Sequence, residues 1–243
     1  MHKKLSATII SIATISTSLV LVATVVFSIS VPATQGFFNI GESMIFLTSL
    51  LFGPKVGAFA GGVGSMLADL FLGYPHYAPG TLIIKAAEGF VVGIIKKNNP
   101  KFRSIIYWKI FTLIFGLVAG GLLTLIGTMY YSGHMDISLG NTSFSLFVPQ
   151  EFWIFLGTIL TLSIATVGFK TEPEFGWTVF SVLCGGFVMV SGYFIYQTFF
   201  IGWLFGVQVW GLAEIPINIG QMIVGATIAL PAARIIGRAF PQN

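Results

Sequence analysis

Charged residues and cysteines are scarce in this 243-residue sequence. Charged residues make up 8% of the chain and hydrophobic residues 55%, whereas soluble domains average about 25% charged residues. A soluble core of this size cannot bury so much apolar surface. The composition therefore excludes an ordinary soluble domain and predicts an all-α polytopic membrane protein.

Several functional signatures are also missing. The single cysteine, Cys184, lies in an apolar run, so we expect a small buried side chain, with no disulfide and no metal cluster. The sequence has no Walker A, HExxH, GxSxG or DxD motif, and no basic run interleaved with aromatic residues. We therefore expect a chain that is not an enzyme, holds no cofactor or metal and binds no nucleic acid. Any ATP hydrolysis must come from another chain.

Apolar runs and their breaks predict about eight membrane spans. Helix-breaking pairs and triplets such as Gly53-Pro54 and Gly73-Tyr74-Pro75 separate neighbouring runs. The run after the basic start MHKK is too long for a secretory h-region, so we expect it to be a retained first helix. The predicted spans are 5–31, 42–53, 55–73, 80–96, 105–130, 151–169, 176–201 and 213–236. The second and fourth are short, and a polar loop is expected over 131–150.

The distribution of positive charge predicts the orientation. If Lys3 and Lys4 are cytoplasmic, alternation of eight spans places eleven of the twelve Lys and Arg residues on the cytoplasmic side. Lys85 is the exception. We therefore predict a multi-pass protein of the cell membrane with both termini in the cytoplasm.

Polar side chains are concentrated in the outer halves of these spans. A charged group inside a bilayer costs about 2.5–3.5 kcal/mol on insertion scales, so it persists mainly where it pairs or lines a site. Residues 214, 218 and 221 share one helix face, and 85 and 88 are helical neighbours. We predict an outward-facing binding pocket. Its candidate residues are Asn39, Glu42, Asp69, Tyr74, His76, Lys85, Glu88, Tyr193, Glu214, Asn218 and Gln221.

The residue types of this set indicate a ligand class. Aromatic faces stack on flat rings, and carboxylates accept hydrogen bonds from ring or exocyclic N–H groups. We therefore expect a small nitrogen heterocycle that carries positive charge or several donors. A pyrimidine, a B6-like ring and a flavin all fit, and we prefer the first two. An anionic ligand is disfavoured because Lys85 is the one cation in the set.

Small residues repeat every four positions in the third span, which lets helix backbones approach closely in lipid. Gly57, Gly61 and Ser65 form one such row, and Ala60, Gly64 and Ala68 form another. We expect both rows to pack against neighbouring spans of the same chain.

Six short motifs stand out along the chain. They are FNIGE at 38–42, LFGPKVGA at 51–58, ADL with GYP at 68–75, IKAAEG at 84–89, GYF at 192–194 and EIPINIGQ at 214–221. Together they resemble a known family, the substrate-binding S components of energy-coupling factor (ECF) transporters, and within it most the branch labelled riboflavin-, hydroxymethylpyrimidine- or pyridoxamine-type. The resemblance covers about 1–97 and 175–238.

The resemblance implies a six-helix vitamin-capture protein whose ligand lies near the outer face, under the loop after the first helix. It also implies two kinds of partner, a transmembrane coupling subunit and two cytoplasmic ATPase subunits. The extra spans of 105–170 depart from the family pattern. We accordingly predict core helices in 1–97, an inserted helical pair with an external loop in 98–174, and two last core helices in 175–243.

Other interpretations remain open from the sequence. Lys85 and Glu88 can neutralise each other in a structural pair, and Asp69 can cap a turn or hold His76. A membrane-embedded enzyme would use Asp69, His76 and Glu88 for acid–base work on a lipid-like substrate. A standalone scaffold or sensor is a third alternative. The N-x-S triplet at 141–143 leaves glycosylation of Asn141 undecided.

Overall fold

The computed structural model describes most of the chain. The described residues are 7–31, 36–102, 104–130, 132–139, 142–206 and 211–239. Asn141 lies outside them, as do Lys3, Lys4 and Arg103, which contributed to the predicted orientation.

The described chain is mostly helical. Its helices are α1 (Ala7–Val26), α2 (Gly41–Phe52), α3 (Pro54–Leu72), α4 (Ala78–Lys97), α5 (Ile105–Tyr130), α6 (Gln150–Lys170), α7 (Pro173–Ile195), a π-helical segment (Tyr196–Ile201), α8 (Gly202–Phe205) and α9 (Gly211–Ala239). Two antiparallel hairpins complete the fold, β1 (Ser28–Val31) with β2 (Gly36–Asn39) and β3 (Gly133–Leu139) with β4 (Thr142–Val148).

Seven helices in the described part of the chain are long and apolar enough to cross a membrane. Large apolar side chains on their outer surfaces are exposed, as lipid contact requires. The prediction of an all-α polytopic membrane protein is therefore confirmed. The predicted second span corresponds to α2, which has 12 residues and is about 18 Å long at 1.5 Å per residue. That length is less than the ~30 Å hydrocarbon core.

Two predicted segments differ from the structure. The first span was expected to reach residue 31, but α1 ends at Val26 and residues 28–31 form a strand. Ser28 pairs with Asn39 in this hairpin. Apolar and polar residues alternate over 27–31, a strand pattern, and a proline follows at position 32. The predicted polar loop over 131–150 contains the β3–β4 hairpin instead.

The chain divides into two compact units. The first comprises Met1–Asn99 and Trp177–Asn243, and the second comprises Pro100–Gly176. In the second unit, α5 and α6 pack closely, and the Trp108 indole N–H donates to the Gly168 carbonyl at 2.8 Å.

The short helix α2 lies at the centre of the first unit. Its Phe46 is fully buried in a cluster with Val92, Val182 and Ala229, which belong to α4, α7 and α9. Its Ile45 packs with residues of α1 and α3. Gly53 joins α2 to α3 at φ +82°, a backbone conformation that favours glycine. The sharp joint allows α2 to pack against α3 and also against α1, α4, α7 and α9.

The predicted packing of the third span is confirmed. A Cβ atom at Gly57 would lie 2.9 Å from the Gly89 carbonyl oxygen, and one at Gly61 would lie 2.8 Å from the Lys85 carbonyl oxygen. Gly64 approaches α1 in the same way, with Val20 Cβ at 2.9 Å. The absence of side chains at these positions lets α3 touch α1 and α4 backbone to backbone. This contact fixes the N-terminal half of α4, which carries several polar side chains of the site.

Candidate functional site

A cavity lies inside the first unit, between β2, α3, α4, α9 and the end of α7. Its volume is about 40 Å³, enough for a few water molecules. A ring-sized ligand therefore requires the lining groups to move apart. The lining residues are Gly36, Phe37, Asn39, Asp69, Tyr77, Thr81, Lys85, Tyr193, Gln197, Glu214, Asn218 and Gln221.

An ion-pair cluster forms one wall. The Lys85 ammonium group pairs with Glu42 of α2, and its Nζ atom lies 3.2 Å from Glu88 Oε2 on α4. The same Nζ atom lies 5.5 Å from the centroid of the Tyr193 ring on α7. The Lys85 side chain is 5% exposed and both glutamate side chains are fully buried. The cluster therefore joins three helices, and its stability depends on charge compensation in a dry environment.

A chain of amide groups connects the β1–β2 hairpin to α9. The Asn39 backbone N–H donates to Gln221 Oε1 at 2.9 Å, and the Asn39 side-chain amide donates to the same oxygen. Gln221 Nε2 in turn donates to Asn218 Oδ1 at 3.0 Å. Asn39 Oδ1 accepts from the Gly41 backbone N–H at 2.8 Å, at the start of α2. The end of the hairpin is thus held over the cavity by buried hydrogen bonds.

A third group of polar side chains surrounds Asp69, which is 4% exposed near the end of α3. Thr81 of α4 hydrogen-bonds to the Asp69 carboxyl group. The Thr81 hydroxyl also lies 2.9 Å from the Tyr193 hydroxyl. Asp69 Oδ2 has no hydrogen-bond partner among the residues that the structure describes. The carboxyl group is therefore oriented by α4 and keeps one acceptor atom unused.

Aromatic rings cluster where the β1–β2 hairpin meets the α3–α4 loop. The Phe37 and Tyr74 centroids are 5.1 Å apart, and those of His76 and Tyr77 are 4.8 Å apart. Burial lowers the pKa of His76, so the imidazole is neutral at pH 7. Burial, with Glu214 nearby, raises the pKa of Tyr77, which keeps its hydroxyl protonated. The cluster is uncharged and suited to ring stacking.

The structure brings most of the predicted residues together. Seven of the eleven line the cavity, namely Asn39, Asp69, Lys85, Tyr193, Glu214, Asn218 and Gln221. Glu42 and Glu88 lie behind Lys85 and pair with it. Tyr74 and His76 belong to the aromatic cluster and do not line the cavity. The pairing of Lys85 with Glu88, which the sequence left open, is therefore present in the structure.

Several lining residues were absent from the predicted set. Tyr77 and Thr81 precede Lys85 by eight and four positions, so they continue the same helical face. Gln197 follows Tyr193 by four positions. These spacings could have placed the three residues in the cavity wall, whereas nothing in the sequence pattern marks Phe37.

Among the described residues, no group of three or more His, Cys, Asp and Glu side chains is placed to hold a metal ion.

The three groups of the enzyme interpretation have different contacts. Asp69 lines the cavity, Glu88 is paired behind Lys85, and His76 lies among aromatic rings.

Comparison with known proteins identifies similar chains. A family model described as "ECF-type riboflavin transporter, S component" matches residues 4–165. An "Uncharacterized protein in gap 3'region" of Pyrococcus woesei is 44% identical over 108 residues, which are 44% of this chain and 67% of that protein. The "Thiamine precursor transporter HmpT" of Lactococcus lactis subsp. cremoris (strain MG1363) is 27% identical over 115 residues, 47% of this chain and 64% of the relative. The matches thus span about two thirds of the length of these relatives.

Proposed function

The chain belongs to the family of S components of ECF-type riboflavin transporters, and from that premise we propose that it captures a small nitrogen-heterocycle vitamin or precursor for import. It is a multi-pass membrane protein and the substrate-binding subunit of a vitamin-type transporter. In this proposal the ligand enters from outside the cell. A transmembrane coupling subunit and two cytoplasmic ATPase subunits then drive its release inside.

One observation carries the choice of ligand class. Five charged side chains are buried among the described residues, and four of them are carboxyl groups. The four are Glu42, Asp69, Glu88 and Glu214, against the single ammonium group of Lys85. Such an excess of buried acceptors favours a ligand that brings positive charge or N–H donors. The aromatic cluster beside the cavity supplies faces for a flat ring.

A pyrimidine of the thiamine-precursor type is the ligand we propose first. The relative from Lactococcus lactis is described as a thiamine precursor transporter, which supports this choice. A B6-like ring and riboflavin are the alternatives, the latter because of the family description. The small cavity volume implies that the β1–β2 hairpin shifts when the ring enters. Breaking the amide contacts of Gln221 would release the hairpin.

The proposed orientation places both termini in the cytoplasm and the cavity near the outer surface. The positive charges of the loops support it. We also propose that 98–174 is an inserted helical pair within a six-helix core. The compact unit Pro100–Gly176 supports that division.

Calorimetry without ATP tests the binding function. The purified protein should bind one molecule of 4-amino-5-hydroxymethyl-2-methylpyrimidine, and Asn218→Ala should bind it more weakly. The matched control is Asn98→Ala, whose side chain is exposed at the end of α4. Uptake of the labelled pyrimidine by cells should require the ATPase subunits. Wild-type affinity in Asn218→Ala would argue against this cavity, and ATPase-independent uptake would argue against the proposed partners.

A further inference from the structure

The end of α7 changes its helical geometry beside the cavity. Residues Tyr196–Ile201 form a π-helical segment, a rare conformation that occurs frequently at functional sites. Two consecutive side chains at its start, Tyr196 and Gln197, are both buried. The Tyr196 hydroxyl donates to the His76 carbonyl oxygen at 2.9 Å. The segment is thus anchored to the α3–α4 loop and places Gln197 in the cavity wall.

The amide group of Gln197 is oriented by one hydrogen bond. Its Nε2 atom donates to the Tyr77 hydroxyl at 3.2 Å. Its Oε1 atom has no hydrogen-bond partner within the described part of the chain, although the side chain is 3% exposed. Buried polar groups are nearly always hydrogen-bonded, so an acceptor in a cavity wall that no side chain pairs is available to a group that fills the cavity.

Asp69 contributes a second acceptor of the same kind. Its Oδ2 atom is buried and lacks a partner among the described residues, while Thr81 bonds to the carboxyl group. Asp69 and Gln197 line the same cavity from α3 and from the π-helical segment. The cavity therefore contains two oriented acceptor atoms whose hydrogen bonds are not supplied by neighbouring side chains.

We propose that Asp69 Oδ2 and Gln197 Oε1 form an acceptor pair that selects ligands carrying an amino group on the ring. This inference rests on the proposed function and makes Gln197 a specificity-determining residue. An amino group presents two N–H donors, whereas a carbonyl group at the same ring position presents only an acceptor. A carbonyl oxygen facing the pair would leave both protein acceptors unpaired and be repelled by them. The pyrimidine edge of a flavin, with one N–H between two carbonyl groups, fits the pair poorly.

Calorimetry with matched probes tests the pair. The probes are 4-amino-5-hydroxymethyl-2-methylpyrimidine, its 4-oxo analogue, pyridoxamine and riboflavin, each titrated into the purified full chain. A site built to bond a donor rejects an analogue lacking it by a large factor, so we expect the amino compound to bind at least about tenfold more tightly than the oxo compound. Pyridoxamine carries its amino group on a methylene carbon and not on the ring, but it still brings N–H donors to the pair, so it should also bind more tightly than riboflavin.

Variants of Gln197 separate recognition from packing. Gln197→Met keeps the side-chain length but removes the acceptor, and it should weaken binding of the amino compound without weakening the oxo compound. Gln197→Glu keeps an acceptor and should retain the preference for the amino compound. The matched control is Gln150→Met, whose side chain is exposed at the start of α6. If Gln197→Met fails to fold, the relative affinities of the wild type and of Gln197→Glu for the amino and oxo compounds still test the proposal.

Three results would overturn the proposal. Equal affinity of the wild type for the amino and oxo compounds would show that no acceptor pair selects the ligand. Equal weakening of both compounds by Gln197→Met would assign Gln197 to packing. Loss of amino-compound binding in Gln197→Glu would mean that the amide nitrogen faces the ligand. In each case binding itself would leave the proposed function standing, whereas binding of none of the four probes would refute both proposals.

Discussion

Replacing Lys85 by methionine is the most informative single change to the site. The substitution keeps an unbranched apolar stem and removes the ammonium group. Lys85 pairs with both Glu42 and Glu88, whose side chains are fully buried, so the variant leaves two carboxylates without their common partner. The affected side chains come from α2 and α4, with the Tyr193 ring of α7 within 5.5 Å of the ammonium group.

The expected loss of stability follows from the burial of this cluster. Removing one partner of a buried ion pair costs about 3–5 kcal/mol, because the remaining charge is uncompensated. For a chain of this size, 1 kcal/mol corresponds to a shift in Tm of about 2–4 °C. We therefore expect Lys85→Met to lower Tm by roughly 6–20 °C.

Thermal unfolding in detergent, followed by circular dichroism, measures this shift. The matched control is Lys55→Met, which removes an exposed ammonium group at the start of α3. It should change Tm by no more than about 2 °C, the effect of ~0.5 kcal/mol expected at an exposed site. Adding Glu42→Gln to Lys85→Met removes one of the two stranded carboxylates and should restore part of the loss. Equal Tm shifts in Lys85→Met and Lys55→Met, or no recovery in the double variant, would refute the reasoning.

Three further predictions concern other parts of the first unit and one control position. Gln221→Ala removes the acceptor of the Asn39 backbone N–H and leaves that buried donor unpaired, so it should lower stability by about 1–3 kcal/mol in denaturant unfolding. Gly89→Ala puts a Cβ atom 2.4 Å from an α3 carbonyl oxygen and should lower stability by about 1–3 kcal/mol in denaturant unfolding. Gly121→Ala, with nothing within 4 Å, should not destabilise the protein. Because burial lowers the pKa of His76, the unfolded chain takes up the proton first, so stability falls as pH drops below about 6.5. The Tm of His76→Gln should fall less than that of the wild type between about pH 7.5 and pH 5.5.

Much of the helical framework was predictable because its signals are local. The Gly-Pro pair at 53–54 and the Gly-Tyr-Pro triplet at 73–75 predicted breaks between helices, and the structure places breaks there. The small-residue rows of α3 also predicted close packing correctly, since only small side chains let backbones touch in lipid. The strand after α1 was missed because its five alternating apolar and polar residues continue an apolar run that is already long enough to span a membrane, so the whole run was interpreted as one helix.

The charged residues of the site were predictable because a charge inside a bilayer is costly and persists mainly where it pairs or lines a site. Lys85, Glu88 and Glu214 stand out against apolar neighbours for this reason, and Lys85 and Glu214 line the cavity. Gln197 was predictable from its spacing of four after Tyr193, but the orientation of its amide depends on the hydrogen bond to Tyr77, a contact between distant parts of the chain that no spacing reveals. Phe37 reaches the cavity through the strand pairing of β1 and β2, a non-local contact that no spacing in the sequence reveals.

Native mass spectrometry of the purified chain, released from detergent after incubation with the aminopyrimidine, tests the capture of a small heterocycle most directly. We expect a single added mass equal to one pyrimidine, with no ATPase subunit present, and a reduced fraction of this species in Asn218→Ala. A spectrum of the bare chain at saturating ligand, or an adduct equally abundant in the wild type and Asn218→Ala, would contradict binding in the cavity.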